Sequence, residues 1–389
     1  MKTNPQRPIL MISTVGTSLL TNPPITSEVQ EVIKNTANRK EEELSPENRR
    51  ILDAHKEKVA ALLKKDGQHD LDEWIKRSAE VNGILAYMRK IGSERPRSMD
   101  MHYLITTDTY QGRLTADLVK EFLRDFNCQV ECYTPPKLST DSIEDFRLGL
   151  SHLIKWCSEN IPEYQDRGYN VVFNLTGGFK SVQGCLTAIG MIWADEIIHI
   201  FQESKELIII PRLPLKLEEL SDEEVVVLEL MNKPGTQLPT DALGDLLDKV
   251  HSAYIEQIKV DGQEYVASNV WGKSVWLKQR KEKLGNCLFN WPRLEYSKEF
   301  KDSAKARQSD LKELNEALAQ VSAHLLESKG DISGLMKGHS GLKFERLENQ
   351  KEEVFTFRVS QGLRVSCERT GNGLRLRKFG IEPEINRNP

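Results

Sequence analysis

The stretch Asn174-Leu-Thr-Gly-Gly-Phe-Lys-Ser181 decides the fold of the N-terminal half of this 389-residue chain. It follows an apolar run at 169–173 that predicts a β-strand, and it precedes a helix-like run at 182–193. Two glycines at a strand-to-helix turn let the backbone approach a ligand closely, and the free N–H groups at a helix start attract anions. With the charge of Lys180, this turn predicts a site for a phosphate-bearing ligand. The alternative is a glycine-rich turn that only reverses the chain.

Two further strand ends carry small hydroxyl residues. Residues 9–13 predict a strand that runs into Thr14-Val-Gly-Thr-Ser18, and a strand at 102–107 ends in threonines followed by Asp108. Ligands of open parallel sheets bind beyond the carboxyl ends of the strands. We therefore expect the three strand ends to form one ligand site.

The order of patterns through residue 211 predicts an α/β fold. Strand-like and helix-like runs alternate from residue 102 to residue 193, which is typical of a parallel sheet with crossover helices. Residues 24–92 form a polar, helix-patterned insertion between the first two strands of that sheet. Residues 196–202 and 206–211 predict a closing hairpin.

The pairing of the two turns resembles the CARF domains of CRISPR-associated proteins, in particular the branch that includes ring nucleases, over residues 1–215. The resemblance implies a Rossmann-like fold, a homodimer, and binding of cyclic oligoadenylate, with cyclic tetra-adenylate as the first choice of ring size. It also implies that Ser18 and Lys180 support slow cleavage of the ligand. The residues implied to line the pocket are Gly16, Thr17, Ser18, Thr107, Asn174, Thr176, Gly177, Gly178 and Lys180.

Residues 216–285 predict a winged-helix-like connector. Helix patterns at 222–231 and 240–251 flank the breaker Asn232-Lys-Pro-Gly235, and a hairpin is expected at 258–267 around Asp261-Gly262. The helices are acidic and lack a basic face, so a connecting or protein-contact role is favoured over DNA binding.

The C-terminal module has a positive net charge, whereas the rest of the chain has a negative one. Residues 293–389 hold 18 Lys and Arg against 15 Asp and Glu, a net charge of +3 that leaves −7 for the remainder of the chain. A strand at 293–296, helices at 299–307 and 310–327, and strands at 353–359, 363–368 and 373–379 predict a compact α+β domain. The charge favours a polyanionic partner, and a solvated basic sheet face is the alternative.

Four segments of this module resemble the RelE superfamily of ribosome-dependent mRNA interferases: 294–300 (LEYSKEF), 341–347 (GLKFERL), 355–364 and 374–380. The resemblance implies a RelE-like domain over residues 286–389 that acts on mRNA with the ribosome as partner and without a cofactor. Cationic side chains orient the 2′-hydroxyl and stabilise a phosphorane in such cleavage. The implied catalytic residues are Lys343, Arg346, Arg358, Arg364 and Arg377. No Tyr or His follows the final strand, so the general base used by better-known members is missing.

Other classes of site are less well supported by the sequence. The Arg-x4-His spacing of HEPN ribonucleases occurs only within the presumed sensor, where we interpret it as coincidence, at Arg50/His55, Arg97/His102 and Arg147/His152. Glu345, Glu348 and Lys351 do not form a convincing metal-dependent nuclease set, so no metal is expected. The six cysteines show no paired spacing and are expected to be reduced.

These patterns predict a ligand-gated effector that cleaves mRNA. No apolar stretch approaches the roughly 20 residues that span a bilayer, and the N-terminal residues lack a signal-peptide apolar region, so a cytoplasmic protein without membrane partners is expected. Two alternatives stay open. One is a ligand-responsive regulator that binds DNA or a protein without cleaving RNA, and the other is a ring nuclease that only degrades the signal.

Overall fold

The computed structural model describes residues 7–139, 142–178, 180–201, 206–212, 217–233, 238–337, 341–347 and 353–389. The chain divides into two compact units, Met1–Lys216 and Leu217–Pro389.

The first unit contains a six-stranded sheet, a separate hairpin whose two strands have two residues each, and helices. Its described strands are β1 (Ile9–Thr14), β2 (Lys64–Lys65), β3 (Gln68–His69), β4 (Met101–Ile105), β5 (Gln129–Tyr133), β6 (Asn170–Asn174), β7 (Glu196–Ile200) and β8 (Leu207–Pro211). Its described helices are α1 (Ser18–Thr21), α2 (Ser27–Asn35), α3 (Pro46–Leu62), α4 (Leu71–Arg77), α5 (Ala79–Lys90), α6 (Tyr110–Asp125), α7 (Ile143–Asp166) and α8 (Lys180–Trp193), with a 3-10 turn at Glu41–Glu43.

The main sheet of this unit has the strand order β5-β4-β1-β6-β7-β8. All neighbouring strands run parallel except β8, which pairs antiparallel with β7. Every residue of β1 is buried, as expected for a central strand that is covered on both faces. The predicted parallel sheet and its closing hairpin are confirmed, and the architecture is compatible with a Rossmann-like fold.

Helix α5 covers the sheet although it belongs to the polar segment 24–92. Its apolar side chains Val81, Ile84, Leu85 and Met88 are buried in the same core as the strands. Ser78 caps the helix by accepting a hydrogen bond from the N–H of Val81. The start of α5 lies at the carboxyl ends of β1 and β6, because Glu80 in its first turn is hydrogen-bonded to Gly16 and Asn174.

The second unit contains two smaller sheets. Its described helices are α9 (Asp222–Met231), α10 (Thr240–Leu243), α11 (Val270–Asn286), α12 (Lys298–Ala306), α13 (Leu311–Glu327), α14 (Ser333–Met336) and α15 (Glu382–Arg387), with 3-10 turns at Gly244–Lys249, Ser252–Tyr254 and Gln308–Asp310. Its described strands are β9 (Leu238–Pro239), β10 (Ile255–Val260), β11 (Gln263–Ser268), β12 (Leu294–Tyr296), β13 (Glu345–Arg346), β14 (Val354–Ser360), β15 (Leu363–Arg369) and β16 (Leu374–Ile381).

The larger sheet of the second unit has the order β12-β16-β15-β14-β13, with β12 parallel to β16 and the other pairs antiparallel. Helix α13 and this sheet contribute to the same hydrophobic core, which contains Leu314 and Leu318 of the helix. The predicted order of strand, two helices and antiparallel sheet is confirmed. The more specific RelE-like assignment stays a prediction.

The segment before this sheet differs in part from the sequence prediction. The predicted helix 240–251 is confirmed only in part, because α10 ends at Leu243, Gly244 takes a positive φ of 51°, and the chain continues as the 3-10 turn Gly244–Lys249. The hairpin β10–β11 is confirmed, with Asp261 and Gly262 at φ values of 50° and 84° in its turn. Its outer partner β9 and the long helix α11 were not predicted, and the winged-helix-like assignment stays a prediction.

Candidate functional site

The first candidate site lies where β1 and β6 end side by side. A Cβ atom on Gly16, in the turn after β1, would lie 2.8 Å from the backbone nitrogen of Gly178, in the turn after β6. Gly178 itself has a positive φ of 98°, which side chains rarely tolerate. The Thr14 hydroxyl donates a hydrogen bond to the Gly177 carbonyl oxygen. The two predicted glycine turns are therefore in direct contact.

A buried carboxylate, Glu80 on α5, joins these turns and was not predicted from the sequence. Its Oε1 accepts a hydrogen bond of 2.7 Å from the Gly16 N–H, and its Oε2 accepts from the hydroxyls of Ser78 at 2.9 Å and Ser18 at 3.3 Å. A Cβ on Gly177 would lie 2.0 Å from Oε1. Glu80 is 1% exposed, and this burial raises the pKa of its carboxyl group despite the hydrogen bonds that favour its charge.

Asn174 ties the end of β6 to its neighbours. Its side-chain amide donates to the Ser13 hydroxyl at 3.2 Å and to the Glu80 carbonyl oxygen at 2.9 Å, and its side-chain oxygen accepts from the N–H of Thr176 at 3.3 Å. The buried Thr176 hydroxyl has no hydrogen-bond partner among the described residues. Asn174 thus fixes the turn, whereas the Thr176 hydroxyl is left with an unused donor.

The remaining predicted pocket residues fall into two groups. Thr17 and Ser18 are half-buried at the start of α1, and the exposed Lys180 is the first residue of α8, so both helices begin at the glycine turns. Thr107 is buried instead, and its hydroxyl lies 2.9 Å from the Thr109 hydroxyl under the start of α6. The structure therefore gathers the predicted residues of the two glycine turns but engages Thr107 elsewhere.

The second candidate site is centred on Arg364 of β15, which is 5% exposed. Its Nη2 lies 2.8 Å from Oε1 of Glu382 on α15, and its Nη1 lies 3.1 Å from Oε1 of Glu345 on β13. Its Nε has no hydrogen-bond partner among the described residues. The guanidinium is therefore paired with two carboxylates and keeps one donor without a partner.

Two other predicted cations stand beside Arg364. Arg358 of β14 is its direct cross-strand partner, so both arginines project from the same face of the sheet. Lys343 has a left-handed backbone with φ of 45° in the segment before β13. The pKa of Glu382 is lowered by its hydrogen bond from Arg364 first, then by the charges of Arg364, Arg358 and Lys343. We call Arg364, Arg358, Lys343, Glu345 and Glu382 the cationic cluster.

Arg346 and Arg377 form ion pairs with carboxylates outside the cationic cluster. Arg346 lies 3.7 Å from Glu353. Arg377 lies 3.5 Å from Glu368, at an irregularity in the pairing of β15 with β16. Because successive side chains of a strand point to opposite faces, Arg346 is separated from its neighbour Glu345. The structure thus brings three of the five predicted catalytic residues together.

Two of the Arg-x4-His candidate residues, His55 and Arg97, have structural partners. His55 contacts the Leu20 carbonyl oxygen at 2.9 Å, and Arg97 pairs with Asp100 at 2.6 Å. Burial lowers the pKa of His102 to about 4, which keeps the imidazole neutral. Over the described part of the chain, no three His, Cys, Asp or Glu residues are grouped as a metal site requires, and Glu348 and Lys351 lie outside that part. None of the helices described is long and apolar enough to cross a membrane.

A family model described as CRISPR-associated protein (Cas_APE2256) matches residues 75–213. The match covers less than half of the chain and supports the prediction of a CRISPR-associated protein. It begins after the Gly16 turn but includes both Glu80 and the turn at 174–181, so the carboxylate and one glycine turn of the first site lie within it.

Proposed function

We propose that this chain is a cyclic-oligoadenylate-gated effector of CRISPR defence that cleaves mRNA on the ribosome. In this proposal the first unit is a CARF-like sensor that acts as a homodimer, and cyclic tetra-adenylate is its activator. The second unit carries a RelE-like ribonuclease site at the cationic cluster. The match to a CRISPR-associated family over residues 75–213 supports the cellular role.

The geometry of the two glycine turns supports the sensor half. The start of α8 lies at these turns, and unsatisfied N–H groups at the start of a helix are the usual partners of phosphate. Lys180 adds an exposed positive charge, and Thr176 offers a hydroxyl without a partner among the described residues. A ring of phosphodiesters presents the complementary acceptors.

The observation that carries the ribonuclease half is the pairing of Arg358 with Arg364. Like charges placed directly opposite each other on neighbouring strands are unfavourable unless an anion lies between them. Glu382 supplies part of that negative charge, and the Nε of Arg364 still has no partner among the residues described. Fixed guanidinium groups of this kind stabilise the charge that develops on phosphorus during cleavage by a 2′-hydroxyl.

Ligand control of the reaction is proposed as a population shift. A ligand changes an equilibrium only by binding one conformation more tightly than another. We expect cyclic oligoadenylate to favour the conformation in which the cationic cluster can bind RNA held by the ribosome. Cleavage of the ligand by Ser18 and Lys180 would end the response.

The proposal is tested by a cell-free translation reaction with a defined mRNA and the purified full-length protein. One arm receives cyclic tetra-adenylate, one receives linear tetra-adenylate as a matched control, and one receives no ligand. Primer extension maps the new RNA ends. We expect cuts only with the cyclic ligand and only in mRNA that is engaged by ribosomes.

Ligand that binds without any cut in mRNA would reject the ribonuclease half and favour the regulator. Charge reversal at Arg364 separates these two functions further, since a regulator would keep its activity. The ring nuclease alternative is tested by following the breakdown of cyclic tetra-adenylate by chromatography. If this alternative holds, the wild type should degrade the ligand and the Lys180→Ala variant should not.

A further inference from the structure

We propose that Glu382 is the general base of the RNA-cleaving site, a role that rests on the proposed ribonuclease function. The better-known RelE-like enzymes have a Tyr or His after the last strand, and this chain has neither there. Glu382 is the first residue after β16, and its carboxylate is held beside the arginine that would bind the scissile phosphate.

Tyr296 and His324 are the described Tyr and His residues of the segment 286–389, and both have structural surroundings of their own. The Tyr296 hydroxyl is committed to the Phe289 carbonyl oxygen at 2.7 Å, and burial raises the pKa of Tyr296. The His324 ring lies against Gly334, where a Cβ would be 2.3 Å from it. Among the residues described, the proton acceptors in contact with Arg364 are Glu382 and Glu345.

Glu382 is favoured over Glu345 by its electrostatic surroundings. Both carboxylates are open to a bound nucleotide, at 39% exposure for Glu382 and 54% for Glu345, but the contact of Glu382 with Arg364 is the shorter, at 2.8 Å against 3.1 Å. The charges of Arg358 and Lys343 also act on Glu382. A phosphate drawn to these three cations would lie next to the Glu382 carboxylate.

The proposed step is a transesterification that needs no oxidant, metal or added nucleophile. Glu382 takes the proton of the 2′-hydroxyl, and the 2′-oxygen forms a bond to the adjacent phosphorus. The bond from phosphorus to the 5′-oxygen breaks, the 5′-oxygen takes a proton from water, and the hydroxide so formed takes the proton held by Glu382. The products are a 2′,3′-cyclic phosphate and a 5′-hydroxyl, and Arg364 stabilises the charge on the non-bridging oxygens.

Glu382 is in its proton-accepting form at neutral pH. The hydrogen bond from Arg364, followed by the charges of Arg364, Arg358 and Lys343, lowers the pKa of Glu382 below its ordinary 4.5. Glu345, the other acid on Arg364, is 54% exposed, so water screens its opposing charge. A carboxyl group with a lowered pKa is ionised throughout the neutral range, so Glu382 is present there as the carboxylate that can accept a proton.

The test is single-turnover cleavage of mRNA in stalled ribosome complexes by the full-length protein with cyclic tetra-adenylate, between pH 6 and pH 8.5. Glu382→Gln keeps the shape of the side chain but removes the base. Glu384→Gln alters an exposed glutamate two residues along α15 and is the matched control. Glu382→Asp keeps a carboxylate but withdraws it by one methylene, and thermal melts check that all variants fold.

We expect Glu382→Gln to cleave at least ~100-fold more slowly, the usual contribution of a positioned base, with unchanged binding to the ribosome complex. The wild type should show a rate independent of pH, whereas the Gln variant should become tenfold faster per pH unit because hydroxide replaces the lost base. Glu382→Asp should lose less activity and keep the flat profile, and Glu384→Gln should match the wild type.

Cleavage by Glu382→Gln at the wild-type rate would overturn the assignment, and so would a flat profile with a reduced rate. Cleavage without ligand in this variant would instead assign Glu382 to masking Arg364, and the base role would be rejected. A wild type that cuts no RNA with ligand bound would reject the proposed ribonuclease itself, so the two failures are distinguishable.

Discussion

The two candidate sites each contain a carboxylate among hydrogen-bond donors, but the two carboxylates differ in burial. Glu80 is 1% exposed and is enclosed by the Gly16 N–H and two serine hydroxyls, whereas Glu382 is 39% exposed and faces arginine and lysine. Burial raises the pKa of Glu80, and the hydrogen bond from Arg364 lowers the pKa of Glu382. The same chemical group is therefore part of the framework in the first site and available for reaction in the second.

The largest effect is expected from Arg364→Ala, which tests whether the second site is catalytic. Removing a fixed donor from a developing oxyanion usually costs ~100- to 1,000-fold in rate, and we expect a loss of RNA cleavage in that range. The measurement is ligand-activated cleavage of ribosome-bound mRNA. Arg375→Ala is the matched control, because Arg375 is an exposed arginine on the neighbouring strand that pairs with Glu368. Equal rates for the two variants would contradict a catalytic role for the cationic cluster.

A large effect on stability is expected from Gly177→Ala, which tests whether Glu80 is fixed. The new Cβ would lie 2.0 Å from the Glu80 carboxylate, which cannot move without losing hydrogen bonds. Overpacking of this kind costs about 1–3 kcal/mol, and ligand affinity should fall with it. Urea unfolding and titration with cyclic tetra-adenylate measure both quantities.

The control for this substitution is Gly184→Ala on α8, where an added Cβ meets nothing within 4 Å. Alanine in an exposed helix interior is usually more stable than glycine by roughly 0.5–1 kcal/mol, so the control should gain stability. A Gly177→Ala variant as stable as the wild type would show that the Glu80 carboxylate is free to move.

A smaller effect, a gain in stability that grows with pH, is expected from Glu80→Gln. The raised pKa of Glu80 means that its contribution to folding is complete below the ordinary value of 4.5 and is lost as pH rises through the folded-state pKa. The variant should therefore gain stability relative to the wild type between pH 4 and pH 8, by about 1–2 kcal/mol. Urea unfolding across this range measures the difference, with the exposed Glu57→Gln as control. A difference that stays constant with pH would contradict the raised pKa.

The smallest effect is expected from Thr107→Val, which tests the border of the first site. The Thr107 hydroxyl is committed to Thr109, so its loss should cost about 1 kcal/mol of stability and leave affinity for cyclic tetra-adenylate within ~2-fold. Calorimetric titration distinguishes this result from that of Ser18→Ala, whose hydroxyl lies at the glycine turns. A Thr107→Val variant that loses binding would extend the site to β4.

The sequence predicted those elements whose own residues show a clear local pattern. The fully apolar β1 and the alternation of strands and helices predicted the parallel sheet, and Asp261-Gly262 predicted the β10–β11 turn because both residues tolerate positive φ. The failure at Gly244 has the same origin. A glycine inside a helical pattern is compatible with either continuation or termination, and here it ends α10.

Glu80 was missed although a signal for it was present. It shares one face of α5 with the buried residues Ile84, Tyr87 and Met88, at the spacing i, i+4, i+7 and i+8. An acid on an apolar face is a candidate for a buried polar contact, but its partner Gly16 is 64 residues away in the sequence. The contact between Arg364 and Glu382 depends likewise on how strands pair, which short-range patterns do not specify.

The four hydrogen bonds of the Asn315 amide have a consequence for dividing the chain experimentally. Its nitrogen donates to the carbonyl oxygens of Leu284 and Cys287, both at 2.8 Å, and its oxygen accepts from the Phe289 N–H and the Trp291 indole, both at 3.2 Å. A fragment that starts at residue 286 would leave one amide hydrogen in the α13 core unpaired. A fragment made to study the cationic cluster alone should therefore start near Leu217, so that it retains α11.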